Sequence, residues 1–370
     1  MRIVLCGGGT AGHVNPALAV AEEIIRQDKN NKVLFIGRRG GKENTLITNA
    51  GFSVETIEIQ GIKRQFTLEN FERIKNAFKA KKEAEKIIQS FNPDIILGTG
   101  GYVCWPVISA GHSLGIPTSI HESNIIPGLT TKLLSLKSDL ILLNHKTTGK
   151  RLIKSTKTVV VGNPLRSDFM NGNRITARKK LNLKEDDIFI LSFGGSIGSE
   201  KLNQCSLNLM KHFSSKQANV MHVHASGERY FEKIKNAGSI FENQRCEVKP
   251  YIHNMSEMMY AADIVICRCG AMTLSELSHV GVSSILIPSP NVTGNHQLKN
   301  AKHLSDMGAA ILIEEKNLNS EVLIKTVKDI KNDKSGRKKR AKIIKSLSYP
   351  NSTELIINEL NLLINGKKTV

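Results

Sequence analysis

Three times this chain runs from a short apolar stretch straight into a glycine turn. Residues 1–13 read Met-Arg-Ile-Val-Leu-Cys-Gly-Gly-Gly-Thr-Ala-Gly-His. Gly98-Thr-Gly-Gly-Tyr102 follows the apolar run 95–97, and Gly194-Gly-Ser-Ile-Gly198 follows 188–193. Glycine lets the backbone turn sharply and bring its N–H groups close to an anion, and a helix that starts there adds the positive end of its dipole. One such turn constrains little. Three, spread over both halves of the chain, predict two nucleotide-type domains facing each other across a phosphate-bearing substrate.

The rest of the chain keeps the same rhythm. In the first half, residues 2–6, 32–37, 53–59, 94–97, 118–121, 140–143 and 158–161 read as strands. Helices are expected over 15–27, 69–90, 106–113 and 129–136. In the second half, strands are expected at 188–193, 220–224, 247–250, 264–267, 284–287 and 310–313. Such alternation predicts a mostly parallel sheet with helices on both faces. The expected fold class is α/β, with two doubly wound, Rossmann-like domains. A chain of 370 residues is too long for one ordinary core, which agrees with that division. Gly162-Asn-Pro164 is turn chemistry and sets the expected boundary, with domains over 1–164 and 165–349. Residues 334–345 are strongly basic. Pro350 then precedes a last helix, from about 351 to 364, that could cross back to the first domain.

Composition narrows the partners. No run approaches the roughly 18–20 apolar residues of a membrane span. The first residues enter a strand at once, so no signal peptide and a cytoplasmic protein are expected. The six cysteines (Cys6, Cys104, Cys205, Cys246, Cys267, Cys269) are irregularly spaced and read as buried thiols rather than a zinc site or a disulfide frame. The formal charge of +19 calls for an anionic partner: nucleic acid, an acidic membrane surface, or phosphorylated substrates. Only 5% of residues are aromatic and no nucleic-acid-binding signature occurs, so no nucleic-acid partner is expected.

Gly7-x-Gly9-x-x-Gly12 matches a dinucleotide fingerprint. The second strand, however, ends Gly37-Arg38-Arg39 where an acid should hold a ribose. Arginines there suit a 2′-phosphate, which keeps an NADP-dependent oxidoreductase open. The second half points elsewhere. Gly270-Ala-Met-Thr-Leu-Ser-Glu276 follows the strand 264–267 and opens a helix with small residues and hydroxyls, which suits a pyrophosphate. Glu276 can accept two hydroxyl hydrogen bonds from a ribose, or can be a first-turn acid favoured by the dipole. Asn295-His-Gln-Leu-Lys-Asn300 brings side-chain amides to a strand's carboxyl end, as sugar hydroxyls need.

Together these blocks resemble the MurG-type undecaprenyldiphospho-muramoylpentapeptide β-N-acetylglucosaminyltransferases. The likeness covers nearly the whole chain and rests on 7–16, 98–102, 121–130, 162–166, 194–204, 251–255, 268–276 and 295–301. It implies the two-domain GT-B fold, with the acceptor on the N-terminal domain and the UDP-sugar mainly on the C-terminal one. It implies inverting transfer of N-acetylglucosamine from UDP-N-acetylglucosamine to lipid-linked muramoyl-pentapeptide, converting lipid I to lipid II in peptidoglycan synthesis. The protein would be peripheral, on the anionic cytoplasmic face of the cell membrane, and would use no cofactor. Residue by residue, Thr10, Ala11 and Gly12 would reach the donor's sugar and diphosphate. Asn124 would contact the sugar, and Arg166 and Ser196 the diphosphate. Ile252 would lie against uracil. Ala271, Met272, Thr273, Leu274, Ser275 and Glu276 would hold diphosphate and ribose, and Gln297 the sugar hydroxyls. Ala11 and Ile197 stand where the family often has glycine and glutamine, and His296 where some members have glutamine. Trp105 is either packing or an acceptor contact.

Such a transfer needs a base for the acceptor hydroxyl and stabilisation of departing UDP. No Asp-x-Asp metal motif occurs, so no metal is expected; backbone N–H groups, helix ends and Arg166 would carry the diphosphate. His13 and Glu122 are the candidate bases, each with a structural alternative as a loop-bonding histidine or a scaffold carboxylate. A transferase for another lipid, or an epimerase of the same fold, would share the donor site. Finally, at about 100° per residue, helix 69–90 puts Ala77, Ala84 and Ile88 on one stripe. Phe71 and Phe78 fall on another, beside Lys75, Lys79, Lys82 and Lys86. That second stripe suits an anionic bilayer, unless the buried face is simply wider.

Overall fold

The computed structural model describes residues 1–61, 68–152, 156–195, 197–214, 219–238 and 245–368. The first sheet runs β3 (Ser53–Ile57), β2 (Lys32–Arg38), β1 (Arg2–Cys6), β4 (Ile95–Gly98), β5 (Thr118–Glu122), β6 (Leu140–Leu143), β7 (Lys157–Val160). The second runs β10 (Cys246–Lys249), β9 (Val220–Ala225), β8 (Ile188–Phe193), β11 (Ile264–Cys267), β12 (Ser283–Leu286), β13 (Ile311–Leu312). Every pairing among the described residues is parallel.

Strand order reverses between β1 and β4 in one sheet and between β8 and β11 in the other. In open α/β sheets, ligands bind outside the carboxyl ends of the strands at such a switch point. The glycine turns after β1, β4 and β8, and the Gly270 segment after β11, all stand there. The topology therefore gathers the motifs at two switch points without reference to any ligand.

Alternation along the strands builds two core layers on the first sheet. Ile3 and Leu5 join one cluster with Val14, Leu18 and Ile24 of the helix Ala11–Gln27; Val4 and Cys6 join the other. That second cluster takes Ala80, Ala84 and Ile88 from the helix Leu68–Phe91, with Ala77 and Phe91 partly buried against it. Ala80 belongs to the buried stripe although the sequence reading passed over it. The second sheet is covered on one face by Leu202, Leu209 and Phe213 and by Leu323, Val327 and Ile330.

By internal packing, Met1–Ser167 with Tyr349–Val370 form one compact unit and Asp168–Ser348 another. The helix Ser352–Lys368 supplies Ile356, Ile357, Leu360 and Ile364 to the first sheet's core. No helix among the described residues is long and apolar enough to cross a membrane. Five cysteines are buried, but Cys246 is only partly so because β10 is an edge strand.

Several element bounds differ from expectation, two of them for clear physical reasons. The first helix starts at Ala11 rather than near 15, so the glycine turn is itself the helix N-terminus. The strand expected over 310–313 shrinks to Ile311–Leu312 at the sheet edge.

Candidate active site

The first two glycine turns are locked together. The Gly8 N–H donates to the Gly100 carbonyl at 3.2 Å. Gly101, at φ +85°, lies so close to Gly8 that a Cβ would come within 2.0 Å of its carbonyl oxygen. Thr99 Oγ1 donates to the His13 carbonyl at 2.6 Å. The His13 ring lies against Gly100, where a Cβ would meet Nδ1 at 2.4 Å. His13 is thus seated on the second turn, at the start of the first helix. Thr10, extended at the N-cap (φ −156°, ψ 156°), and Gly12 are both exposed there, while Ala11 is half-buried.

Sequence reasoning missed Glu43. Its Oε1 accepts the Gly9 N–H at 2.9 Å from a buried position. A carboxylate there occupies an amide that a dinucleotide pyrophosphate would need, and it adds like charge. Arg39, expected for a 2′-phosphate, instead pairs with Glu58 and Glu83 at 3.4 Å each. The dinucleotide alternative loses its cradle. The only sequence trace of Glu43 is an acid just beyond the second strand.

Glu122 ends β5 with its carboxylate buried and surrounded by donors. Oε1 accepts from the Asn124 backbone N–H (3.0 Å) and side-chain amide (3.1 Å). Oε2 accepts from the Gly128 N–H (2.9 Å) and the Thr131 hydroxyl (2.6 Å). Its neighbour His121 donates from Nε2 to the Gly162 carbonyl at 2.8 Å. Burial lowers the His121 pKa, against a smaller raising effect of that carbonyl. Arg166 stands 3.9 Å from Glu22 of the first helix, in an exposed pair.

In the second unit, Ser196 lies outside the described residues. Ile197 beside it is 67% exposed. Gly270 is the extended N-cap (φ −62°, ψ 142°) of the helix Ala271–Val280. Met272 and Leu274 turn into the core, while Ala271, Thr273, Ser275 and Glu276 are half-buried; Glu276 stands in the second turn, so it is not the first-turn acid of the alternative reading. Burial pushes the Cys267 thiol up, and the Glu276 carboxylate adds to that shift. Gln297 Oε1 accepts the N–H groups of Cys269 (3.2 Å) and Ser289 (2.9 Å), tying the loops after β11 and β12 together. Ile252 is only 2% exposed, so its side chain belongs to the core. Tyr251 and His253 flank it, exposed, with rings 4.9 Å apart. Arg268, also missed as a site residue, bonds the Ile287 (3.2 Å) and Pro288 (3.1 Å) carbonyls and holds Ser199 and Glu315.

The chemistry of the two switch points is therefore distinct. One carries an imidazole on interlocked turns. The other carries a helix N-terminus with hydroxyls and a carboxylate, suited to a diphosphate and a ribose.

Residues 3–142 match the glycosyltransferase family 28 N-terminal domain, and residues 189–355 match its C-terminal domain. The chain belongs to glycosyltransferase family 28. As a family-28 glycosyltransferase it adopts the GT-B class of fold, two parallel-sheet α/β domains of seven and six strands. It is 38% identical over 367 residues, 99% of both chains, to the UDP-N-acetylglucosamine--N-acetylmuramyl-(pentapeptide) pyrophosphoryl-undecaprenol N-acetylglucosamine transferase of Acetivibrio thermocellus. It is 41% identical over 330 residues to the protein of that name from a Thermoanaerobacter strain, covering 89% of this chain and 90% of the other. Among solved structures, MurG of Acinetobacter baumannii matches with a TM-score of 0.75 and 25% identity, over 97% of this chain and 99% of that one.

Proposed function

We propose that this glycosyltransferase moves N-acetylglucosamine from UDP-N-acetylglucosamine to a pentapeptide-bearing muramyl sugar on pyrophosphoryl-undecaprenol, with inversion at the anomeric carbon. The observation that carries this reading is the helix Ala271–Val280, whose N-terminus follows β11 at the switch point with Glu276 close by. A diphosphate placed there meets backbone N–H groups and the helix dipole, and Glu276 takes the ribose hydroxyls. Thr273 and Ser275 add hydroxyls to the diphosphate. Gln297, its oxygen held by two amides, keeps its NH2 group for the sugar. Ser196 and Arg166 complete the diphosphate contacts. Uracil meets the Tyr251–His253 segment, of which Ile252 is the buried anchor.

His13 is the base that takes the acceptor hydroxyl's proton. Glu122 holds four donors and acts as a positioning carboxylate, presenting Asn124 to the sugar. Thr10, Ala11 and Gly12 offer N–H groups from the first helix, with Glu43 fixing the turn before them.

The acceptor's lipid places the protein at an anionic bilayer. Phe71 and Phe78 are 72% and 57% exposed on the helix Leu68–Phe91, and Lys75, Lys79, Lys82 and Lys86 are exposed too. Phe78 stacks edge-on to Trp105 at 5.5 Å, and Lys137 Nζ stands 5.7 Å from that ring's centroid. Aromatics beside cations suit an interfacial surface.

The test is incubation with labelled UDP-N-acetylglucosamine and a lipid-linked muramoyl acceptor, with mass analysis of the product. The expected product gains one N-acetylhexosamine; a changed donor sugar with an untouched acceptor would mean an epimerase. Glu276→Ala should raise the UDP dissociation constant at least about tenfold, since a bond to a charged group contributes ~1.5–3 kcal/mol. Unchanged UDP binding by the folded variant would remove Glu276 from the site.

A further inference from the structure

A buried polar chain lies beneath the third glycine turn, and the chemistry above gives it no task. His222 and His224 point to one face of β9, with Ser192 opposite His224 on β8. All three are fully buried, as are Asn203 and Ser226. The hydrogen-bond directions follow from a single acceptor. The Ser226 carbonyl can only accept, so Asn203 gives it the side-chain NH2, at 3.0 Å. The Asn203 Oδ1 then faces His224 Nε2 at 3.0 Å, and that nitrogen must carry the proton. His224 Nδ1 therefore accepts from the Ser192 hydroxyl at 2.7 Å. The Ser192 oxygen in turn accepts from His222 Nε2, also at 2.7 Å. Burial holds His224 down at about 4 and His222 well below its ordinary value, so both rings are neutral near pH 7.

The chain ends on the surface that shapes the turn. Gly198, at φ +81°, rests on the Ser226 carbonyl, where a Cβ would come within 2.0 Å of the oxygen. A Cβ on Gly227 would meet the Gly198 nitrogen at 2.5 Å. Asn203 grips the turn a second time, its backbone N–H donating to the Ser199 carbonyl at 2.8 Å. Arg268 holds the Ser199 hydroxyl. The far end of the turn is thus clamped by Ser226, Asn203 and Arg268. A glycine-rich turn has more conformational freedom to lose than any other segment, so its shape must be imposed from outside.

We propose that His224, acting through Asn203, is a positioning residue that fixes the Gly198–Ser199 end of the third glycine turn, and so readies it for the donor's diphosphate. This rests on the reading that the turn meets the donor's diphosphate.

The experiment compares His224→Leu, His224→Gln and Asn203→Ala with wild type. UDP affinity is measured by calorimetry, and KM for donor and acceptor separately. Leucine leaves the Asn203 oxygen unpaired, and an unsatisfied buried group costs enough to predict a UDP dissociation constant and donor KM about five- to twentyfold higher. Acceptor KM should stay within about twofold. Glutamine can donate from its Nε2 to Asn203 and should recover most of the loss. A residue that matters only for packing would lower thermal stability in both His224 variants without this donor-only effect or its rescue. If His224→Leu fails to fold, Asn203→Ala decides: it should show the same donor-specific loss. Wild-type UDP affinity in either folded variant would overturn the proposal. Should Glu276→Ala also leave UDP binding unchanged, the donor-site reading is what fails; a weakened Glu276→Ala beside an unaffected Asn203→Ala sinks the positioning role alone.

Discussion

A carboxylate already holding four donors makes a poor proton acceptor. Protonating Glu122 would break at least one of the bonds that set Asn124, Gly128 and Thr131. His13 has its backbone carbonyl fixed by Thr99 and its ring laid on Gly100, which orients its imidazole. We expect His13→Ala to cut turnover by ~10²–10⁴-fold, the usual share of a general base. UDP affinity should hardly change. A loss of only a few-fold in single-turnover assays would return the role of base to Glu122. At this scale the sequence showed what local order can show. His13 and Glu122 each end a turn or strand with a recognisable flank, and Glu276 follows one by about two helical turns. Glu43, Arg268 and the His224–Asn203 pair were invisible, because their meaning lies in partners 20 to 70 positions away that only the parallel sheets bring together. For the same reason Met272, Leu274 and Ile252, members of matching motifs, turn out to face the core: a motif names a stretch of chain, and helical or extended geometry then decides which side chains reach the ligand.

At the scale of elements, periodicity carried far. β6, β8 and β11 have the bounds their apolar runs predict, since buried parallel strands are short and bounded by turns. Edges were less legible, because an edge strand ends where its neighbour ends and not where its own residues dictate. The helix Leu68–Phe91 shows another limit. Its buried stripe includes Ala80, and small residues say little about direction until a partner surface is known. The last helix, Ser352–Lys368, is the clearest element-scale test. Leu360 is fully buried in the first sheet's core, beside the first helix. Leu360→Ala should therefore cost about 2–5 kcal/mol, as large-to-small changes in tight cores do. Urea denaturation would report it. A change below about 0.5 kcal/mol, typical of surface sites, would mean the helix docks loosely.

For the whole molecule, charge is the property that no single motif explains. A formal +19 on a chain whose substrates are anionic favours attraction to a negatively charged surface. Near such a surface each lysine contributes about 1 kcal/mol, falling off within a Debye length. The protein should float with anionic vesicles and less so at high salt. Phe71→Ser combined with Phe78→Ser should weaken flotation and leave UDP affinity intact. A double variant that floats like wild type would assign the membrane face elsewhere.

The chain's route has a consequence for how the protein is made. Its first unit takes Met1–Ser167 and then waits for Tyr349–Val370, with all of the second unit translated in between. At about 5–20 residues per second, that interval lasts on the order of 10 to 40 s. Throughout it, the patch of the first core destined for Ile356, Ile357, Leu360 and Ile364 has no cover. The second unit, unbroken in sequence, can finish first. A message cut short near its 3′ end would thus yield a product with a complete second unit and an open, adhesive first unit, a natural client for chaperones and proteases.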